Sequence, residues 1–134
     1  MKAKKRKTLN YSQMHKDRKE LQRLMEEMGD CVVMVAGKKD AEALQRYVGG
    51  VIEVSGRTNY ACEKAAREGA SEVAVLTDLD GRGNALANEL SDKLRSCGIK
   101  PNTFLRRKIA RVLGISQMEN FERRYKERLG ETKL

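Results

Sequence analysis

The chain lacks tryptophan, holds one proline (Pro101) and one histidine (His15), and carries only six aromatic residues among 134. Its three cysteines, Cys31, Cys62 and Cys97, are widely spaced with no C-x-x-C pair. That excludes a zinc-ligand pattern and a disulfide framework and leaves the thiols as core or helix residues. His15 sits among polar residues and carries no functional assignment. No apolar run approaches the length needed to cross a bilayer, and no apolar segment follows the basic N-terminus, so membrane insertion and export are not expected and the protein reads as cytoplasmic. Repeats and low-complexity segments are missing too.

What the chain has in excess is positive charge, +9 overall, and it is unevenly placed. Residues 1–10 carry +5 through Lys2, Lys4, Lys5, Arg6 and Lys7, residues 11–28 are neutral, residues 29–100 sum to −1, and residues 101–134 carry +5. A near-neutral body with basic flanks points to a polyanionic partner, because each Lys or Arg placed on a phosphate releases a condensed counterion.

With 40% hydrophobic and 35% charged residues, the length suits one globular domain with appendages. Residues 1–9 read as a basic flexible arm, and residues 10–29 as an amphipathic helix with Met14, Leu21, Leu24, Met25 and Met28 at helical spacing. Three strand-loop-helix units follow. The strands are residues 31–36, 51–54 and 73–77, and the helices are residues 40–48 with Asp40 as N-cap, 59–68 and 81–97. This succession predicts an α/β fold with a central parallel sheet flanked by helices. Residues 99–101 read as a turn or a short edge strand cut off by Pro101. A basic helical C-terminal extension over residues 101–134 completes the chain. Its first helix, residues 104–113, takes Thr103 as N-cap, turns Phe104 with Leu105, Ile109, Val112 and Leu113 to the core, and faces Arg106, Arg107, Lys108 and Arg111 outward. Ser116 and Glu119 form a capping box for the last helix.

The chemistry concentrates at V-A-V-L-T-D-L-D-G-R-G, residues 73–83. Alternate residues of a strand point to one side, so Asp78 and Asp80 can aim two carboxylates at one point as the strand runs out. Such a pair suits Mg²⁺, or Mn²⁺, which keeps waters and substrate phosphates as its remaining ligands. The alternative is that Asp80 caps the next helix and Asp78 is a turn residue. In parallel sheets ligands bind outside the carboxyl ends of the strands. There Gly37, Lys38 and Lys39, then Ser55, Gly56 and Arg57, then Asp78, Asp80, Gly81, Arg82 and Gly83 should converge. Lys38, Lys39, Arg57 and Arg82 are candidate phosphate clamps, with a solvated surface role as the alternative for each.

The segments V-M-V-A-G-K-K-D-A-E-A-L and V-L-T-D-L-D-G-R-G, separated by a helix, a strand and a helix, resemble the Toprim domain. Primases, topoisomerases, certain nucleases, the 5S ribosomal RNA maturase and small stand-alone archaeal proteins share that domain. The resemblance covers roughly residues 30–100 and is most like the small archaeal group. It implies a Rossmann-like Toprim fold, Mg²⁺ ligation by Asp78 and Asp80, support from Gly37, Asp40 and Gly83, and nucleic acid (DNA or RNA) as partner. D-x-D-x-x-G matches fully, whereas Ala36 stands where the family has its glutamate, the metal ligand or general acid/base of nucleotidyl transfer. Glu53 and Glu42 are the nearest carboxylates in sequence. The resemblance therefore implies a protein built for phosphodiester cleavage or nucleotidyl transfer but impaired at its catalytic position. A non-catalytic metal- and nucleic-acid-binding scaffold is the other reading. A phosphotransfer receiver-like domain is disfavoured, because the first strand ends without an acidic cluster.

Overall fold

A computed structural model describes residues 10–132, so the basic arm over residues 1–9 lies outside the described residues. The elements run α1 (Asn10–Gly29), β1 (Val32–Val35), α2 (Lys38–Leu44), β2 (Gly50–Glu53), α3 (Thr58–Arg67), β3 (Glu72–Val75), α4 (Gly81–Ser96), β4 (Lys100–Asn102), α5 (Phe104–Leu113), a 3₁₀ turn (Met118–Asn120) and α6 (Phe121–Thr132). The four strands form one sheet in the order β2-β1-β3-β4, and every pairing is parallel.

The burial pattern follows the strand period of two. Val33, Val35, Ala74 and Leu76 feed one core, with Leu21, Leu24 and Met28 of α1, Leu44 of α2, and Leu105, Ile109, Leu113 and Phe121 of the C-terminal helices. Met34, Ile52, Val73 and Val75 feed the other, with Ala61, Cys62 and Ala65 of α3 and Ala87, Leu90 and Leu94 of α4. Both faces are thus covered, as apolar parallel strands require. The chain leaves β1 in one direction to make β2 and returns past it to make β3 and β4. Right-handed crossovers then put α2 on one face and α3 and α4 on the other. This is a Rossmann-like α/β fold with its strand order reversing between β1 and β3.

The edge strand at residues 100–102 forms despite Pro101, which pairs with Val73 on the outer edge of the sheet, where a missing N–H costs nothing. Several helix starts differ from expectation. Gly37, not Asp40, is the N-cap of α2, and Asp40 sits at its third position, accepting the Gly37 N–H at 3.3 Å. Thr103 is the N-cap of α5 as expected, but its side chain makes no capping bond; Asn102 Oδ1 accepts instead from Phe104 N and Leu105 N at 3.0 and 3.2 Å. The Ser116–Glu119 capping box does not form; a 3₁₀ turn precedes α6 instead, and the Ser116 carbonyl accepts from Leu79 N at 2.7 Å.

The largest departure is the phase of α5. Phe104, expected in the core, is 79% exposed, while Arg106, expected outward, is 4% exposed. Leu105, Ile109, Val112 and Leu113 define the buried stripe, and Arg106 lies one position and three positions from its members, so its stem is carried inside with them. The guanidinium is satisfied there. It donates to Thr77 O from Nε at 3.1 Å, and from Nη2 to Asp78 O and to Asn84 Oδ1, the latter at 2.9 Å.

Gly83 has a steric role. A Cβ built there would stand 1.9 Å from the Asp78 carbonyl oxygen, so only glycine lets α4 approach the loop that precedes it. The approach is closed by Thr77 Oγ1 donating to Gly83 O at 2.6 Å. A Cβ at Gly81, two residues earlier, would meet nothing within 4 Å. Away from this loop, Tyr47, Phe121 and Tyr125 form an aromatic cluster with ring centroids 5.2–6.2 Å apart. Tyr47 OH donates to Glu122 at 2.8 Å. Burial, reinforced by that carboxylate, pushes the Tyr47 phenol up to about 12.

Three measurements check this account. Gly83→Ala should lower unfolding free energy by about 3 kcal/mol or more in urea, the cost of overpacking against rigid backbone, whereas Gly81→Ala should be neutral or stabilising by up to about 1 kcal/mol. Arg106→Met keeps the buried stem but leaves the Thr77 and Asp78 carbonyls without their donor, and should cost about 2–4 kcal/mol. The raised Tyr47 pKa means that the folded state holds this proton longer than the unfolded chain. Its contribution is therefore complete below about pH 10 and lost as pH climbs from about 10 to about 12, and Tyr47→Phe should flatten that part of the stability–pH curve.

Candidate functional site at the carboxyl edge of the sheet

The reversal of strand order between β1 and β3 leaves the loops after those strands diverging to opposite faces, which opens a crevice between them. A cleft of about 540 Å³ lies there, lined by Ala36 from the end of β1, Gly56 from the loop after β2, Asp78, Asp80, Arg82, Gly83 and Leu86 around the start of α4, and Gln117 from the C-terminal segment. Backbone hydrogen bonds hold the rim: Ser55 N donates to Ala36 O at 2.9 Å and Leu76 N to Met34 O at 2.8 Å. The loop after β2 turns through left-handed backbone at Ser55 (φ +47°) and Gly56 (φ +77°), and Ser55 Oγ donates to Glu53.

The two aspartates are positioned differently. Asp80 is the N-cap of α4, its Oδ1 accepting the Gly83 N–H at 2.7 Å, so the capping alternative is realised. Asp78 is half-buried, and its Oδ1 accepts the Met118 N–H at 2.8 Å. Each carboxylate commits Oδ1 to a backbone N–H and keeps the acceptor capacity of Oδ2. Behind them, Arg106 grips the carbonyls of Thr77 and Asp78. Burial pulls the Arg106 guanidinium below its ordinary pKa, with Arg107 acting the same way, while Asp78 and Asp80 pull it up. A guanidinium stays charged through such shifts, so it is a fixed cation behind the aspartate loop.

Asp40 stands near this loop. Its carboxyl is pushed above the usual range first by burial and next by the Asp78 carboxylate; the Gly37 N–H opposes this, and Glu119 adds to the rise. Its Oδ2 meanwhile accepts the Gly37 N–H at the start of α2.

Of the expected phosphate clamps, Arg82 lines the cleft. Lys38 is exposed in the first turn of α2, and Lys39 lines a separate depression with Glu42, Glu119, Glu122 and Arg123. Arg57 lies over the Tyr60 ring, 4.4 Å from its centroid. Neither of the carboxylates nearest in sequence to the missing glutamate lines the cleft: Glu53 is engaged by Ser55 Oγ, and Glu42 lines the depression beside Lys39. Among the described residues the carboxylates lining the cleft are Asp78 and Asp80, and no cluster of three or more His, Cys, Asp or Glu side chains arranged for a metal occurs. Two carboxylates match the donor set of a hard cation that keeps much of its water, and they do not match a dedicated all-protein cage. Arg106, Gln117 and the Met118 N–H, none of them expected from the sequence, complete the surroundings. The one available signal was Arg106 lying inside an apolar stripe.

No helix among the described residues is long and apolar enough to cross a membrane. No family model matches the chain. A solved structure, a putative protein from Aquifex aeolicus, is similar with a TM-score of 0.63 over 77% of this chain and 95% of that one; at 23% identity the likeness concerns the fold alone. A UPF0292 protein of Methanocaldococcus jannaschii is 35% identical over 80 residues, 58% of this chain and 62% of that protein. One of Methanosarcina acetivorans is 35% identical over 98 residues, 70% and 66% of the two. One of Methanosarcina barkeri is 33% identical over 120 residues, 81% of this chain and 82% of the relative. Over that span, with the fold and cleft as described, the chain belongs to the UPF0292 family.

Proposed function

We propose that this is a Toprim-like, Mg²⁺-dependent nucleic-acid-binding protein of the cytoplasm, built around a phosphodiester site whose catalytic position is vacated at Ala36. The observation that carries the reading is the meeting of Ala36, Asp78, Asp80 and Arg82 around one cleft at the strand-order reversal. Asp78 and Asp80 would hold the cation through their uncommitted oxygens, and the cation would supply neutralisation of charge on a bound phosphate. Arg82 places a planar cation on the same cleft, suited to a phosphate oxygen pair. Arg106 and the Met118 N–H fix the aspartate loop so that Asp78 is oriented before any ligand arrives.

The side chain at residue 36 decides between cleavage and binding. Alanine has neither lone pair nor titratable proton, so it can neither complete a ligand set nor exchange a proton with a reacting oxygen. Together with the structural duty of Asp80 as a helix cap, this favours a protein that binds nucleic acid at the metal site without cutting it.

Mg²⁺ should raise thermal stability by mass action, by about 2.7 kcal/mol at a hundredfold excess over Kd, and Asp78→Asn should abolish the shift; a midpoint indifferent to Mg²⁺ removes the cation from this reading. In single-turnover assays on labelled DNA and RNA, the chain as given should show little Mg²⁺-dependent cleavage. Ala36→Glu should raise it, by up to the 10²–10⁴-fold that general acid/base catalysis supplies, and adding Asp80→Asn should suppress it again.

A further inference from the structure

The protein has few aromatic side chains, and their distribution is uneven. Tyr47, Phe121 and Tyr125 are spent in the cluster beneath α6. The exposed large hydrophobic side chains among the described residues are two, Phe104 at 79% and Tyr60 at 44%, and both are aromatic. Tyr60 lies in the first turn of α3, just past β2, and Phe104 opens α5, just past β4. Because all four strands are parallel, both rings sit at the carboxyl edge, on either side of the cleft that holds Asp78 and Asp80. β2 and β4 are the outer strands of the sheet, about 14 Å apart at a spacing of about 4.8 Å, and α3 and α5 lie on its opposite faces, so a strand touching both rings runs over the carboxyl edge from one face to the other.

Tyr60 is paired with cations, and a further cation lies one helical turn from Phe104. Arg57 lies 4.4 Å and Arg67 5.6 Å from the Tyr60 centroid. Exposed Arg107 follows Phe104 by three residues, on the same side of α5. The Phe104 backbone is held by the Asn102 side chain, so the ring stands on a fixed helix start. Aromatic rings and guanidinium planes flanking a cleft that carries a cation of its own, Arg82, are elements that hold an unpaired strand, whose bases are free to stack. A duplex keeps its base faces covered and would meet only the cations.

We propose that the ligand of this edge is single-stranded nucleic acid, its unpaired bases stacking on Phe104 and on the Arg57–Tyr60 pair while its backbone crosses the Asp78–Asp80 cleft. This rests on the nucleic-acid reading above and narrows it to one class of strand.

The test is fluorescence anisotropy with the full chain in Mg²⁺, using a labelled 12-nucleotide DNA and RNA of mixed sequence and the blunt duplexes of the same sequence. Single strands should bind at least tenfold tighter than duplexes. Phe104→Ala and Tyr60→Ala should each weaken single-strand binding by about 5- to 150-fold, the worth of one stacked base, and change duplex binding less than twofold. Phe104→Trp should retain affinity and, in a chain without other tryptophan, show indole quenching by single strands and not by duplexes. Equal affinity for both forms, or wild-type single-strand binding by both alanine variants, overturns this inference and leaves the broader nucleic-acid reading standing. Failure to bind any polynucleotide overturns both. A change of oligomeric state in Phe104→Ala with unaltered strand binding assigns the ring to a second copy of the chain and overturns the proposal.

Discussion

The buried guanidinium of Arg106 is the interaction on which the site depends. It reaches from the C-terminal helix α5 through the core to two consecutive main-chain carbonyls, Thr77 and Asp78, and to the Asn84 side chain. A charge placed this deep is tolerated only when its donors are used, and here three acceptors use them. The loop that carries the aspartates is consequently not a free strand end. It is tied to α5 by Arg106, to the 3₁₀ segment by the Met118 N–H and the Ser116 carbonyl, and to its own helix by Thr77 and Gly83.

The C-terminal helices therefore have a structural part as well as a charge. Leu105, Ile109, Leu113 and Phe121 close the sheet face that α1 and α2 cover only in part, and the same segment supplies polar groups to Asp78. A basic tail has been partly turned inward. Of its cations, Arg106 is consumed by the core, Lys108 pairs with Glu27 and Arg111 with Glu20. These exposed pairs lend little stability, but they direct part of the tail's charge onto α1 instead of an external polyanion. Exposed Arg107 stands apart, beside Phe104 at the carboxyl edge.

Much of the fold was legible because it is carried by local patterns. Short apolar strands, each followed by glycine or aspartate and an amphipathic helix, require a parallel sheet covered on both faces, and that is the architecture found. The convergence of Ala36, Asp78 and Asp80 was legible for the same reason, since it follows from strand direction and a reversal in strand order. The errors fell at helix starts and in the phase of α5. Asp40 and Ser116 are good caps by composition, yet Gly37 and a 3₁₀ turn took those places, and at Thr103 the cap position is right while the capping oxygen comes from Asn102. Cap residues report that a helix begins nearby, and tertiary packing chooses among neighbouring candidates.

The sequence by itself determined the α/β class, the order of strands and helices along the chain, the pairing of two aspartates with glycine at the end of β3, and the alanine that ends β1. These follow from periods of 2 and 3.6 and from residue chemistry that does not depend on distant partners. Tertiary structure decided that Arg106 points inward and Phe104 outward, that Lys39 and Arg57 stand apart from Arg82, and that Met118 and Gln117 join a loop some forty residues earlier. The physical reason is that a long amphipathic side chain beside an apolar stripe can go either way. Its direction is fixed by whether acceptors wait inside, and those acceptors are main-chain carbonyls, which the residue alphabet does not spell.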